Sequence, residues 1–119
     1  MKILVLERIE SIALLYHDEF EELGYKVILL NQGEKLLETI KKEYPQALIL
    51  GIKIPGFGPY ELLEEVRAAF PNLPIIFNTS ALEFWEGAND RGADFYFAKT
   101  SDLTNLKEII EMIEKNSQK

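Results

Sequence analysis

Short apolar runs alternate with segments of helical periodicity along the chain, and this pattern predicts five strand–helix units. Each run is apolar on both faces, which is typical of strands in a parallel sheet covered by helices on both sides. The segments between the runs repeat apolar residues at the spacing of one helix face. The predicted strands are Ile3 to Leu6, Val27 to Leu30, Ala47 to Leu50, Ile75 to Phe77 and Phe95 to Ala98.

The predicted helices are delimited by end signals in the sequence. Gly24 ends the first helix, Pro59 fits the first turn of the third, and Ser101 or Asp102 caps the last. The fourth, roughly 82–91, has the least regular pattern because it contains glycine, asparagine and aspartate, which are poor helix formers. The positions predicted to face the core are Ile12, Tyr16, Phe20 and Leu23, then Leu36, Leu37 and Ile40, then Leu62, Leu63 and Val66, and finally Leu103, Leu106, Ile110 and Ile113.

Length and composition narrow the class of protein. The chain has 119 residues and 47% hydrophobic residues, which fits one α/β domain over residues 1–119. A net charge of −7 argues against direct binding of nucleic acid or an anionic membrane, since both require clustered basic residues. The absence of cysteine excludes disulfides and thiol chemistry. No apolar stretch approaches the roughly 20 residues of a membrane span, and "MKILVL" lacks the features of a signal peptide, so we expect a cytoplasmic protein.

Candidate functional residues follow from the position of strand ends. In a parallel α/β sheet, ligands bind beyond the carboxyl ends of the strands, near the point where strand order reverses. The residues that follow the predicted strands there are Glu7 and Arg8 after the first, Gly51 after the third, Thr79 and Ser80 after the fourth, and Lys99 after the fifth.

Four segments in the expected order make the sequence resemble a response-regulator receiver domain, the phosphoacceptor module of two-component signalling. "MKILVLE" is similar to the family's first strand, and "PQALILGIKIPGFGPYELLEEVR" to its third strand, loop and third helix. "LPIIFNTSA" is similar to the fourth strand with its hydroxyl residue, Thr79, and "RGADFYFAK" to the fifth, with switch aromatic Tyr96 and lysine Lys99. The resemblance covers nearly the whole chain and implies a flavodoxin-like, doubly wound five-stranded parallel sheet of order 2-1-3-4-5, with five helices on both faces.

The resemblance also implies a reaction for which this chain lacks the residues. A receiver accepts a phosphoryl group on an aspartate at the end of strand three, and two acidic residues after strand one help to hold Mg²⁺. Here Gly51 stands at the acceptor position, and the acidic pair has become Glu7 and Arg8. We therefore expect no metal or other cofactor, and a degenerate pocket that internal contacts hold in one state. Its residues are Glu7, Arg8, Gly51, Thr79 and Lys99.

Aromatic and apolar residues near helix four, strand five and helix five predict an interaction surface. In receivers this face is the usual docking and dimerisation surface, and clustered aromatic residues favour an interface. The alternative is that most of these side chains pack into the core. The residues concerned are Phe84, Trp85, Phe95, Tyr96 and Met112, with Thr79 as the switch residue and Ile109 beside Met112.

Three functional hypotheses remain. The first is a phosphorylation-independent pseudo-receiver without enzymatic activity, which acts through a protein partner, a linked output domain or a homodimer. The second is a receiver for Mg²⁺-dependent aspartate phosphorylation that has been altered at Gly51. The third is a small-molecule sensor that uses a flavodoxin-like cleft, although the acidic charge and the lack of a glycine-rich phosphate loop argue against nucleotides.

Overall fold

The computed structural model describes residues 1–51, 53–79, 83–98 and 102–117, with the side chains of residues 83–85 excepted. In this part of the chain five parallel strands form one sheet of order β2-β1-β3-β4-β5, which confirms the expected fold. The strands are β1 Lys2–Leu6, β2 Lys26–Leu30, β3 Ala47–Gly51, β4 Ile75–Asn78 and β5 Phe95–Phe97. The α-helices are α1 Glu10–Glu22, α2 Leu36–Glu43, α3 Glu61–Ala69, α4 Glu83–Asp90 and α5 Thr104–Ser117, and a short 3-10 turn, Gly33–Lys35, precedes α2.

The sheet separates two apolar cores because successive strand residues point to opposite faces. Residues Leu4, Leu48 and Phe77 belong to the core that contains the buried residues of α2, α3 and α4. Residues Ile49 and Ile76 belong to the other core, which is shared with α1 and α5. Burial on both faces explains why the strands are apolar throughout rather than alternating.

Two predicted core positions are wrong. Leu23 is 54% exposed because it lies at the C-cap of α1, beyond the last helical turn. Leu37 is 36% exposed, whereas Leu36 and Ile40 are buried. In a helix as short as α2, only Leu36 and Ile40, four positions apart, face the sheet fully. Leu37 follows Leu36 and is rotated by roughly 100° around the helix axis.

The start of α3 also differs from the prediction. Pro59 is not in the first helical turn, because the helix begins at Glu61 with Tyr60 as its N-cap. The backbone N–H of Gly58 donates to Glu61 Oε1 over 3.0 Å, and the Glu61 N–H donates to the Gly58 carbonyl over 3.3 Å. This turn holds residues 58–61 together and delays the helix by two residues.

The predicted end of α1 is confirmed, whereas α5 begins at Thr104, two residues after the predicted cap Asp102. Gly24 follows α1 with a φ of +93°, a conformation that glycine adopts without steric cost. Asp102 Oδ1 accepts from the backbone N–H and the hydroxyl of Thr104 over 3.0 and 2.7 Å, and these hydrogen bonds lower the pKa of Asp102. Ser101, the other predicted cap, lies outside the described residues.

Candidate functional site

The carboxyl edge of the three central strands brings Glu7, Gly51 and Asn78 side by side. Leu6 is in register with Leu50, so Glu7 follows β1 next to Gly51, and Gly51 is in register with Asn78 on β4. Glu7 and Asn78 are both buried, with 2% and 1% of their surface exposed. The edge therefore carries buried polar groups on either side of a residue that has no side chain.

The carboxylate of Glu7 occupies the space beside Gly51. A Cβ atom built on Gly51 would lie 3.1 Å from Glu7 Oε2 and 3.3 Å from the Leu6 carbonyl oxygen. Both distances are shorter than ordinary van der Waals contacts, so a larger residue at position 51 requires Glu7 to move. The sequence predicts Glu7 as the remaining member of an acidic pair, but it does not predict this contact, which depends on the rotamer of Glu7.

Tyr16 and Asn78 form a buried hydrogen bond next to this position. Asn78 Nδ2 donates to the Tyr16 hydroxyl over 2.7 Å, which connects the end of β4 to α1. Burial raises the pKa of Tyr16 to about 12; the hydrogen bond from Asn78 opposes this rise and the charge of Glu7 adds to it. Among the described residues, nothing hydrogen-bonds to Asn78 Oδ1.

The sequence pattern predicts Tyr16 as a core residue and assigns no role to Asn78. The available signal was the asparagine at the end of an otherwise apolar buried run, Ile75 to Phe77. A buried amide requires a hydrogen-bond partner, but the pattern alone does not identify Tyr16, which lies 62 residues away along the chain.

The two predicted switch residues, Thr79 and Tyr96, are in contact. Thr79 is 1% exposed, and its backbone N–H donates to the Phe97 carbonyl over 3.2 Å. The hydroxyl of half-buried Tyr96 donates to the Thr79 carbonyl over 3.2 Å. These two hydrogen bonds connect the end of β4 to β5.

Of the other residues predicted near the pocket, Arg8 is described by the structure, whereas Lys99 and Ser80 are not. Arg8 is exposed whereas Glu7 is buried, so the two residues lie in different environments. Lys99 and Ser80 lie outside the described residues. The structure thus places Glu7 against Gly51 and Thr79 directly after Asn78, while the roles predicted for Arg8 and Lys99 stay predictions.

The donor atoms at this edge do not fit a Mg²⁺ site of the kind that receivers use. Mg²⁺ requires a near-octahedral set of oxygen ligands, usually with one or two carboxylates. Gly51 offers no side-chain oxygen, and position 8 carries a guanidinium group. Within the described residues, no group of three or more histidine, cysteine or acidic side chains is placed to hold a metal ion.

The predicted interaction surface is only partly apolar and exposed. Met112 is 44% exposed on α5, but Ile109 is buried with 8% exposure, so its assignment to the surface is wrong. Ile109 shares the core-facing side of α5 with Leu106 and Ile113, at the three- and four-residue spacing of one helix face. Phe95 is half-buried and packs against the core beneath α1 and α5.

Phe84 and Trp85 belong to α4, as the surface prediction requires, but their side chains lie outside the described part. A surface cavity of about 980 Å³ opens at the opposite, amino-terminal edge of the sheet. Its lining includes Tyr44, Phe70 and Phe95. The cavity is therefore remote from the cleft that the small-molecule hypothesis uses.

Among the described residues, no helix has the length and apolar character needed to cross a membrane.

Comparison with known proteins gives consistent matches. A sequence profile described as "Response regulator receiver domain" matches residues 3–111. Sporulation initiation phosphotransferase F of Bacillus subtilis is 27% identical over 112 residues, which are 92% of this chain and 90% of that protein. The alkaline phosphatase synthesis transcriptional regulatory protein PhoP of the same species is 28% identical over 98% of this chain, which spans 50% of PhoP.

Solved structures of receivers have the same fold. Response regulator TrrA of Thermotoga maritima, solved in complex with Mg²⁺-BeF, superposes with a TM-score of 0.87 at 27% identity, over 94% of this chain and 97% of TrrA. A two-component response regulator from Clostridium difficile superposes with a TM-score of 0.92 at 20% identity, over 100% of this chain and 99% of that one. At that identity the second match demonstrates the fold alone.

Proposed function

The chain belongs to the response regulator receiver domain family of two-component signal transduction, and we propose that it acts there as a phosphorylation-independent interaction module. Receivers of this family work with linked output domains or partner proteins, and this chain spans about half the length of several curated transcriptional regulators that it matches. In our proposal the chain has no enzymatic activity, contacts no nucleic acid directly and acts in the cytoplasm through another protein or a second copy of itself.

The observation that supports this proposal most directly is the contact between Glu7 and Gly51. Glycine has no group that can form an acyl phosphate, and the buried Glu7 carboxylate lies where an acceptor side chain would enter. A second carboxylate forced into that space would repel the first in a site of low dielectric. The missing acceptor and the position of Glu7 thus both argue against phosphorylation at position 51.

Internal contacts support a pocket that stays in one state. The Tyr96 hydroxyl bonds to the Thr79 carbonyl, and the Asn78 amide bonds to the Tyr16 hydroxyl. Both bonds join separate elements near the pocket and involve only groups of the protein. We propose that these contacts, rather than a phosphoryl group, determine the conformation of the surface formed by α4, β5 and α5.

Incubation with acetyl phosphate and Mg²⁺, followed by intact-mass analysis, tests the proposal. We expect no phosphoryl adduct on the native chain. We also expect none on Gly51→Asp alone, because the new side chain meets the Glu7 carboxylate and Arg8 provides no metal ligand. A Mg²⁺-dependent adduct on the native chain would overturn phosphorylation independence.

The triple variant Gly51→Asp, Glu7→Asp, Arg8→Asp is the matched control. It shortens the blocking carboxylate and restores both the acceptor and the acidic pair, so we expect it to be labelled. Labelling of Gly51→Asp alone would instead favour the second hypothesis, an active receiver that differs only at position 51.

A further inference from the structure

The loop after β3 contacts α4 through Tyr60 and Gly87. A Cβ atom built on Gly87 would lie 2.6 Å from Tyr60 Cζ and closer still to its hydroxyl oxygen, so no side chain fits there unless Tyr60 moves. Glycine is a poor residue in a helix interior, and Gly87 lies in the middle of α4, Glu83–Asp90. Close packing of Tyr60 against the helix provides a physical reason for this glycine.

The ring of Tyr60 contacts both Phe77 and Arg91. It stacks on Phe77 of β4, with ring centroids 6.2 Å apart and an interplanar angle of 27°. The Arg91 guanidinium lies 4.4 Å from the ring centroid, within the range of a cation–π interaction. Arg91 also donates to the Gly87 carbonyl over 3.0 Å and pairs with Glu64 of α3 at 3.9 Å. Tyr60 is thus fixed between the sheet and α4.

A second aromatic residue of the same loop, Phe57, also packs closely on a glycine. A Cβ atom on Gly33 would lie 2.6 Å from Phe57 Cε2 and 2.8 Å from Leu62 Cδ1. Two aromatic residues of one loop therefore pack on two glycines, Gly33 before α2 and Gly87 in α4. Phe57 thus packs the loop against the turn before α2, and Tyr60 packs it against α4.

We propose that Tyr60 is a positioning residue that sets α4 against the sheet, so that the α4–β5–α5 surface is presented without phosphorylation. This inference rests on the proposed function, since it identifies what replaces phosphoryl-driven switching at that surface. Phe77 is a fixed residue of a central strand with none of its surface exposed, so a ring stacked on it provides a rigid reference. Substitution of Tyr60 should then move α4 while the sheet remains intact.

Fluorescence provides the first test, because Trp85 is the single tryptophan of the chain and lies in α4. We expect Tyr60→Ala to shift the Trp85 emission maximum, while Tyr60→Phe, which keeps the ring, stays close to the native chain. Gly33→Ala is the control, because its methyl group would meet Phe57 and Leu62 rather than Tyr60, and we expect a smaller shift. Far-ultraviolet circular dichroism verifies that each variant is folded.

Thermal unfolding provides a second test that does not depend on the surface. Gly87→Ala should lower Tm in the native background because the new methyl group displaces Tyr60. In the Tyr60→Ala background the same change should raise Tm, since only the better helix propensity of alanine remains. An unchanged Trp85 emission in Tyr60→Ala, or the same sign of the Gly87→Ala effect in both backgrounds, would overturn the inference.

Measurement of self-association distinguishes a failure of this inference from a failure of the proposed function. By sedimentation velocity we expect Tyr60→Ala to weaken association by about tenfold or more, with Tyr60→Phe near the native value. Native-like association in Tyr60→Ala, despite a shifted emission, would contradict the link between Tyr60 and the surface. A native chain that stays monomeric contradicts the proposed homodimer, while the fluorescence and Tm tests still decide whether Tyr60 positions α4.

Discussion

At the residue scale, the buried bond between Asn78 and Tyr16 is the contact for which substitution has the clearest expected cost. Tyr16→Phe removes the hydroxyl that accepts from Asn78 Nδ2 and leaves a buried donor unsatisfied. We expect a loss of about 1–3 kcal/mol in the free energy of unfolding, measured by urea denaturation. Adding Asn78→Val should recover most of this loss because both partners become apolar; a double variant as unstable as the sum of the single variants would contradict this expectation.

Titration of Tyr16 offers a second measurement on the same pair. Its pKa is raised from 10.0 to about 12, with burial as the first cause, so the folded state favours the neutral phenol. This contribution to stability is complete below pH 10 and is lost as the pH rises through 12. The difference in unfolding free energy between the native chain and Tyr16→Phe should therefore shrink over this range.

At the element scale, Arg67 joins the end of α3 to the turn before β5. Its guanidinium donates to the carbonyls of Pro71 and Leu73, each over 2.9 Å, and to the Gly92 carbonyl through Nε, also over 2.9 Å. It also pairs with Asp94 at 2.7 Å. One planar side chain thus satisfies carbonyl groups in two separate loops.

Replacing Arg67 should lower the free energy of unfolding even when the positive charge is kept. We expect Arg67→Lys to lose about 2 kcal/mol or more of unfolding free energy, because a single ammonium cannot reach carbonyls in both loops. The control is Lys107→Ala, which breaks a partly exposed pair with Glu19 at 3.1 Å and should cost about 1 kcal/mol or less. Equal losses in urea denaturation would show that Arg67 contributes only as an ordinary surface ion pair.

At the scale of the whole molecule, a net charge of −7 opposes self-association, so a homodimer requires apolar contacts. Met112 on α5 belongs to the proposed surface and is 44% exposed. Leu14 on α1 is 46% exposed and lies outside that surface. Two apolar side chains of similar exposure therefore provide a matched comparison.

We expect Met112→Glu to weaken self-association in sedimentation velocity by about tenfold or more, because it buries a new charge in an acidic assembly. Leu14→Glu adds the same charge to the chain and should have little effect. If Leu14→Glu is the more disruptive variant, the interface includes α1 rather than the α4–β5–α5 surface.

The fold was predictable because it depends on patterns that recur along the chain. Apolar runs flanked by helical periodicity predicted all five strands, and each strand differs from its predicted run by one residue at one end. The errors arose at helix ends and on short helices. Pro59 was misassigned because the turn at residues 58–61 depends on local hydrogen bonds. Leu23 and Leu37 were misassigned because tertiary packing decides which residues at a helix end or on a short helix face the core.

The sequence by itself determined that position 51 carries no acceptor and that position 8 carries a cation, since these are properties of residue types. Tertiary structure alone decided that Glu7 fills the space beside Gly51, that Asn78 bonds to Tyr16, and that the β3–α3 loop packs on α4. Each of these contacts joins side chains from different elements. Propensity and periodicity describe one segment at a time, whereas rotamers and distances between elements exist only once the chain is packed.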